Sequence, residues 1–200
     1  MSLTAYSTLL SRIVPFVTRV NDALIEQMIA RTAEDFFEES EVWVEKMASF
    51  NTVVDQAAYT ITPLYTNARI KRVEQVVMDD SDFAFDDTLY RFDVDNTLTF
   101  DPAPTQVMGC VLWVIYVPNY DASQVESSMM TRWGGVIADG TVWRIKRDMG
   151  NAQKPNPWFD SHGAEFYQER FNRGINKARI ERFDGRKSIG AKTVKIRDWV

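Results

Sequence analysis

The residues best suited to chemistry in this 200-residue chain lie in Phe92-Asp93-Val94-Asp95-Asn96-Thr97-Leu98, where two carboxylates and a hydroxyl follow one another at a spacing of two. These are the residue types of nucleophilic and acid–base catalysis and of cation binding. An EF-hand calcium loop is excluded: counted from Asp93, position six is Leu98 where Gly is needed, and position twelve is Pro104 where Glu is needed. The stretch 135–140 has Gly at both ends but lacks the following Lys of a phosphate-binding loop, and it lies in a helical pattern. His162 stands beside Asp160 at the start of a helix, an ordinary place for a surface histidine. Cys110, the single cysteine, sits in the apolar run 107–117 and reads as a buried strand residue. One cysteine forms no internal disulfide, and with a single histidine it makes no zinc site. No catalytic residue, metal or cofactor is assigned.

The Asp93-x-Asp95-x-Thr97 run resembles the nucleophile motif of the haloacid dehalogenase superfamily, in which an apolar strand delivers these groups into a magnesium site. The resemblance implies that Asp93 attacks phosphorus and Asp95 serves as general acid and base. The surrounding pattern opposes it. In that family the strand is central, parallel and apolar on both faces, and βα units follow. Here Tyr90, Phe92 and Val94 alternate with Arg91, Asp93 and Asp95, which describes a strand with one wet face. Asp95-Asn96 then reads as a two-residue hairpin loop, both types tolerating positive φ, before residues 97–100 return as the partner strand. A phosphatase using Asp93 and Asp95 is therefore the alternative reading.

These residues must be held by two kinds of element. Leu9, Leu10, Ile13 and Val14 predict a short helix that Pro15 ends or kinks. Asn21 is a good N-cap for a second, with Ile25, Met28, Ile29, Thr32, Phe36 and Phe37 at helical spacing. From residue 42 to 118 the period is two, through Tyr59 and Ile61, residues 70–78, Tyr90 to Val94, Leu98 and Phe100, and residues 111–117. Residues 79–88 read as a polar loop in this mostly antiparallel sheet. Helices return at 125–149 and 159–183, separated by Lys154-Pro155-Asn156-Pro157-Trp158. The fold class is α+β: a bundle of N- and C-terminal helices flanking a small sheet, without βαβ alternation. A single domain is expected over 1–184, with helices at about 5–40, the sheet at about 42–118 and helices at about 125–183.

Within the third helix, Gly134, Gly135 and Gly140 lower helix propensity, so another helix or a neighbouring subunit must come close there. Trp133 joins these three as an expected subunit contact. Hydrophobic residues make up 45% and charged residues 26% of the chain, the balance of a globular protein with a sizeable core. No run of apolar residues reaches the length of a membrane span, and Met1-Ser2-Leu3-Thr4-Ala5 lacks a basic leader, so a soluble intracellular chain is expected.

The net charge of -5 disfavours coating by nucleic acid, yet it conceals acidic clusters at 34–45 and 79–87 against a basic end. After Gly185 breaks the helical pattern, residues 185–200 predict an extended, partner-binding tail. Arg186, Lys187, Lys192, Lys195 and Arg197 are interleaved with Ile189, Val194, Ile196, Trp199 and Val200. That is too little apolar surface for a core and too much for a solvated terminus. A factor that binds duplex DNA through this basic tail is a second alternative.

The order of these pieces resembles the head-to-tail adaptor, or connector, proteins of tailed bacteriophages. The shared punctuation is Tyr59-Thr60-Ile61, the Pro-edged 98–104, the apolar 111–118, the small-residue helix 133–146, the Lys-Pro turn 154–158 and the final helix 166–179. What the resemblance implies is a structural virion protein at the capsid-to-tail junction, assembled in the host cytoplasm. It would form a homo-oligomeric ring of twelve, docked on the portal protein above and a tail or nozzle protein below, with DNA passing through the lumen without sequence recognition. The tail is expected to order along the portal subunits by adding a strand to an exposed edge, with the neighbouring adaptor subunit as the competing partner.

Overall fold

The computed structural model of the chain describes residues 2–78, 89–148, 150–151 and 154–188, so the predicted loop at 79–88 and the tail beyond 188 lie outside the described residues. In chain order the elements are β1 (Leu3–Ala5), a 3-10 turn (Tyr6–Leu9), α1 (Leu10–Ile13), a second 3-10 turn (Val14–Phe16) and α2 (Asp22–Ser40). There follow β2 (Val44–Lys46), β3 (Phe50–Asn51), β4 (Ala58–Thr60), β5 (Ala68–Met78), β6 (Tyr90–Phe92), β7 (Thr97–Phe100), β8 (Gly109–Pro118) and β9 (Gln124–Glu126). Last come α3 (Ser127–Arg147), the short ribbon of β10 (Gly150–Asn151) and β11 (Lys154–Pro155), and α4 (Ser161–Ser188). The class is α+β with antiparallel ladders, and the chain forms two compact units.

The helical unit comprises residues 2–41 and 118–180. α2 starts where the Asn21 side chain accepts from the Ala23 amide at 2.8 Å. It buries Ile25, Ile29, Ala33, Phe36 and Phe37, the face that its 3.6-residue spacing defines. It stops without a glycine: Glu41 takes the left-handed conformation, φ 51°, and its amide bonds Phe37 O at 2.9 Å. α3 begins later than its periodicity predicts. Val125 lies in β9, which pairs antiparallel with β1 in the register Leu3↔Glu126, and the Glu126 carboxylate caps the helix by accepting from the Ser128 and Met129 amides. α4 continues through Gly185 to Ser188, so the predicted break at that glycine does not end the helix.

The sheet unit comprises residues 42–117 and the described residues from Glu181. In place of one small sheet, pairing gives two: β8 joined to β2, β3 and β5, and a three-stranded sheet in the order β4-β7-β6. β8 is the spine of the first, buried on both faces from Cys110 to Leu112 and from Val114 to Pro118. β2 and β3 lie on one edge of β8, and the register steps by one residue between Lys46↔Trp113 and Phe50↔Cys110, so residues 47–49 form a bulge in a single edge run.

Candidate functional site

The carboxylate motif occupies the hairpin between β6 and β7, paired in the register Phe92↔Leu98. Asp93 O accepts from the Asn96 amide at 3.0 Å, and Asn96 alone carries positive φ, 63°. The loop is therefore three residues, a turn closed by a left-handed residue, rather than the predicted Asp95-Asn96 pair. Each carboxylate is engaged locally: Asp93 Oδ2 pairs with Arg91 Nη2 at 3.0 Å, and Asp95 Oδ1 accepts from the Thr97 amide at 3.1 Å. Val94 projects fully into solvent. No group of three or more His, Cys, Asp or Glu side chains that could hold a metal ion occurs among the described residues. Asp93→Asn is expected to leave stability within about 0.5 kcal/mol. A magnesium-supplemented phosphate-ester assay should read the same for Asp93→Asn and the parent, both flat; turnover lost in the variant would restore the catalytic motif.

The glycine-rich face of α3 packs inside the helical unit. Trp133 is buried with its ring 5.5 Å from Phe36, and a side chain on Gly134 would meet Leu9 Cδ2 at 3.1 Å. At Gly140 an added Cβ would lie 2.5 Å from Phe171 Cδ2 and 2.6 Å from Thr32 Cγ2, so α2, α3 and α4 converge on that atom's absence. Gly135 is half-buried beside Arg12. Thr32 and Thr141 satisfy their buried hydroxyls by donating to Met28 O and Ile137 O. The close approach that the glycines permit is thus made by the chain's own helices, which leaves buried Trp133, Gly134 and Gly140 no surface for a neighbouring subunit. Around this seam Arg144 pairs with Asp35, and Arg170 Nε donates to Asp139 Oδ2 at 2.9 Å. His162 is exposed in the first turn of α4; Asp160, not His162, organises that end, taking Lys146 Nζ at 2.7 Å and the Gly163 amide at 2.9 Å. Those bonds hold the Asp160 carboxyl below the ordinary carboxylate range.

In the sheet unit, Trp43, Tyr65 and Tyr116 form a buried aromatic cluster with centroids 5.0 to 5.5 Å apart. Tyr116 Oη accepts from the Leu64 amide at 2.8 Å, and Glu45 Oε1 accepts from Trp43 Nε1 at 3.3 Å and Tyr65 Oη at 3.4 Å. Beside this cluster opens a groove of 560 Å³, lined chiefly by Met47, Phe50, Val53, Tyr59, Ile61 and Leu64. Tyr59 Oη fixes its rim by accepting from the Val53 amide at 2.8 Å and donating to Val53 O at 3.2 Å. Among the described residues no strand pairs with the outer edge of β3, nor with the edge of β4 that faces away from β7. Cys110 is fully buried, and burial pushes its thiol up to about 12. Iodoacetamide at mildly alkaline pH is therefore expected to leave the folded chain unlabelled and to modify it only after denaturation, as mass spectrometry would record.

Of the predicted partner-binding residues, Arg186 and Lys187 fall in the last turn of α4, where only the backbone is described. Ile189, Lys192, Val194, Lys195, Ile196, Arg197, Trp199 and Val200 lie outside the described residues. The groove escapes sequence reading because β3 has two residues and β4 three, too few to establish a period. No protein-family model matches the chain, and no curated protein matches it in sequence.

Proposed function

We propose that this chain is a head-to-tail adaptor of a tailed bacteriophage, a structural virion protein whose copies close into a ring between the capsid portal and a tail or nozzle protein. The observation that carries the reading is the order of elements: N-terminal α2, a sheet unit punctuated by β4 and β8, a glycine-bearing α3, a Lys-Pro turn and the long α4. It follows, piece by piece, the order on which the resemblance rests. Two further features support it. The two carboxylates that could carry catalysis are each committed to their own hairpin. α4 holds Phe166, Ile180 and Phe183 more than half exposed, apolar surface of the kind that a partner covers.

Ring closure around DNA asks for assembly, not turnover, and a net acidic chain would let the duplex slide rather than adhere. The test is to mix the purified chain with the portal ring encoded by the same genome and weigh the complex. A mass increment of about twelve chains, the closed cyclic symmetry that the resemblance implies, is the expected result. No association at micromolar concentrations would remove the portal from the proposal.

A further inference from the structure

The solvent face of α4 carries two patterns at once, one apolar and one of charge. The helix buries Ala164, Tyr167, Phe171, Ile175 and Ala178. Turned away from them lie Glu165, Phe166, Glu169, Arg173, Lys177 and Ile180, all exposed, all in the helical unit and, at 3.6 residues per turn, within about one third of the helix circumference. Phe166 and Ile180 are 55% and 62% exposed. They stand two heptads apart and so fall on one line about 21 Å long, with Arg173 at its midpoint. Arg170 lies over the Phe166 ring, 5.6 Å from its centre, and steadies it in this exposed position.

Charge divides the same face into halves. Glu165 and Glu169 occupy the N-terminal half, Arg173 and Lys177 the C-terminal half. Glu169 and Arg173 pair with each other across the middle, whereas Glu165 and Lys177 have no ion-pair partner among the described residues. The other cations of the stretch spend their charge elsewhere, Arg170 on Asp139 and Arg179 on Glu39. A face that is acidic at one end and basic at the other is complementary to its own copy turned end for end. Antiparallel pairing also sets opposite ends of the two helix dipoles together.

We infer that α4 pairs with α4 of a second copy of this chain, antiparallel about a two-fold axis near Arg173. Phe166 of each copy lies beside Ile180 of the other, and Glu165 and Glu169 face its Lys177. The two Arg173 side chains meet near the axis, each neutralised by its own Glu169. The contact is one helix wide, at the small end of interface sizes, so the pair forms and dissociates reversibly. A two-fold contact is complete after two copies and builds no ring. The inference therefore goes beyond the adaptor reading and does not rest on it.

The test is sedimentation equilibrium of the full chain alone, from micromolar to millimolar concentration at low ionic strength, where exposed charges are least screened. The expected result is a reversible shift in mass from one copy to two. Glu165→Lys and Lys177→Glu each bring like charges together at both ends of the seam and should each weaken the pairing about tenfold or more. An equal mixture of those two variants should recover it, because the mixed pair again sets opposite charges at both ends. Ile180→Asp should abolish it, with the circular dichroism of the single copy unchanged, since the side chain is exposed. One copy at every concentration would overturn the inference, as would pairing that ignores both charge variants or that the mixture fails to recover. So would a chain that never pairs and loses portal binding in Ile180→Asp, which would give this face to the portal. Pairing is read with no portal present, so its failure leaves the mass test of the adaptor reading standing, and failure of that test leaves the pair.

Discussion

Trp43→Ala is expected to cost the sheet unit about 3–5 kcal/mol, the range for removing a fully buried Trp, or a fall in thermal midpoint of roughly 2–4 °C for each of those kilocalories. The indole is 0% exposed and packs on Tyr65 and Tyr116, so its removal leaves a cavity against two rings that are themselves pinned. Tyr116 cannot swing into the void without releasing the Leu64 amide, and Tyr65 bonds the same Glu45 oxygen that the indole N–H reaches. Trp43→Phe keeps most of the packing and loses the Glu45 bond, at a smaller cost of about 1–2 kcal/mol. Circular dichroism melts of the two variants would separate the contributions. Equal losses would mean that the bond to Glu45, not the ring, holds the cluster.

Gly140 and Gly135 are expected to answer alanine with opposite signs, although five residues apart on one helix. Intrinsic propensity favours alanine over glycine by about 1 kcal/mol at both. At Gly140 the new methyl would stand 2.5 Å from Phe171 and 2.6 Å from Thr32, two buried neighbours that cannot withdraw. Overpacking of about 1–3 kcal/mol outweighs the propensity gain, and Gly140→Leu exceeds that range. At Gly135 the nearest atom is the end of the Arg12 side chain at 3.4 Å, an ordinary contact, so the propensity gain survives. Urea titration of both variants checks the pair. A stabilised Gly140→Ala would show that the seam yields.

The legibility of this fold follows from how local its signals are. α2 could be read in advance because Asn21 and the spacing of Ile25, Ile29, Phe36 and Phe37 all lie within the helix they define. The hairpin around Asp93 was legible for the same reason, and only its loop length depended on a single left-handed residue, Asn96. β9 was not legible, because its three residues owe their conformation to β1, more than a hundred positions away, and not to their own pattern. The glycines of α3 announced a close approach but carried no sign of which surface approaches; that depended on where Thr32 and Phe171 arrive from distant parts of the chain. The division into two sheets was hidden likewise, since alternation marks a strand and says nothing about its neighbour.

The hairpin that mimics a catalytic motif offers a different use. Val94 stands in solvent at its tip while Asp93 and Asp95 are engaged by Arg91 and the Thr97 amide, so no described residue packs against the outermost one. A peptide epitope inserted after Val94 would ride on a two-stranded stalk whose ladder remains intact, a tolerated place for added sequence. The tip is thus a ready mounting point for a label that would mark the orientation of each copy in images of an assembled particle.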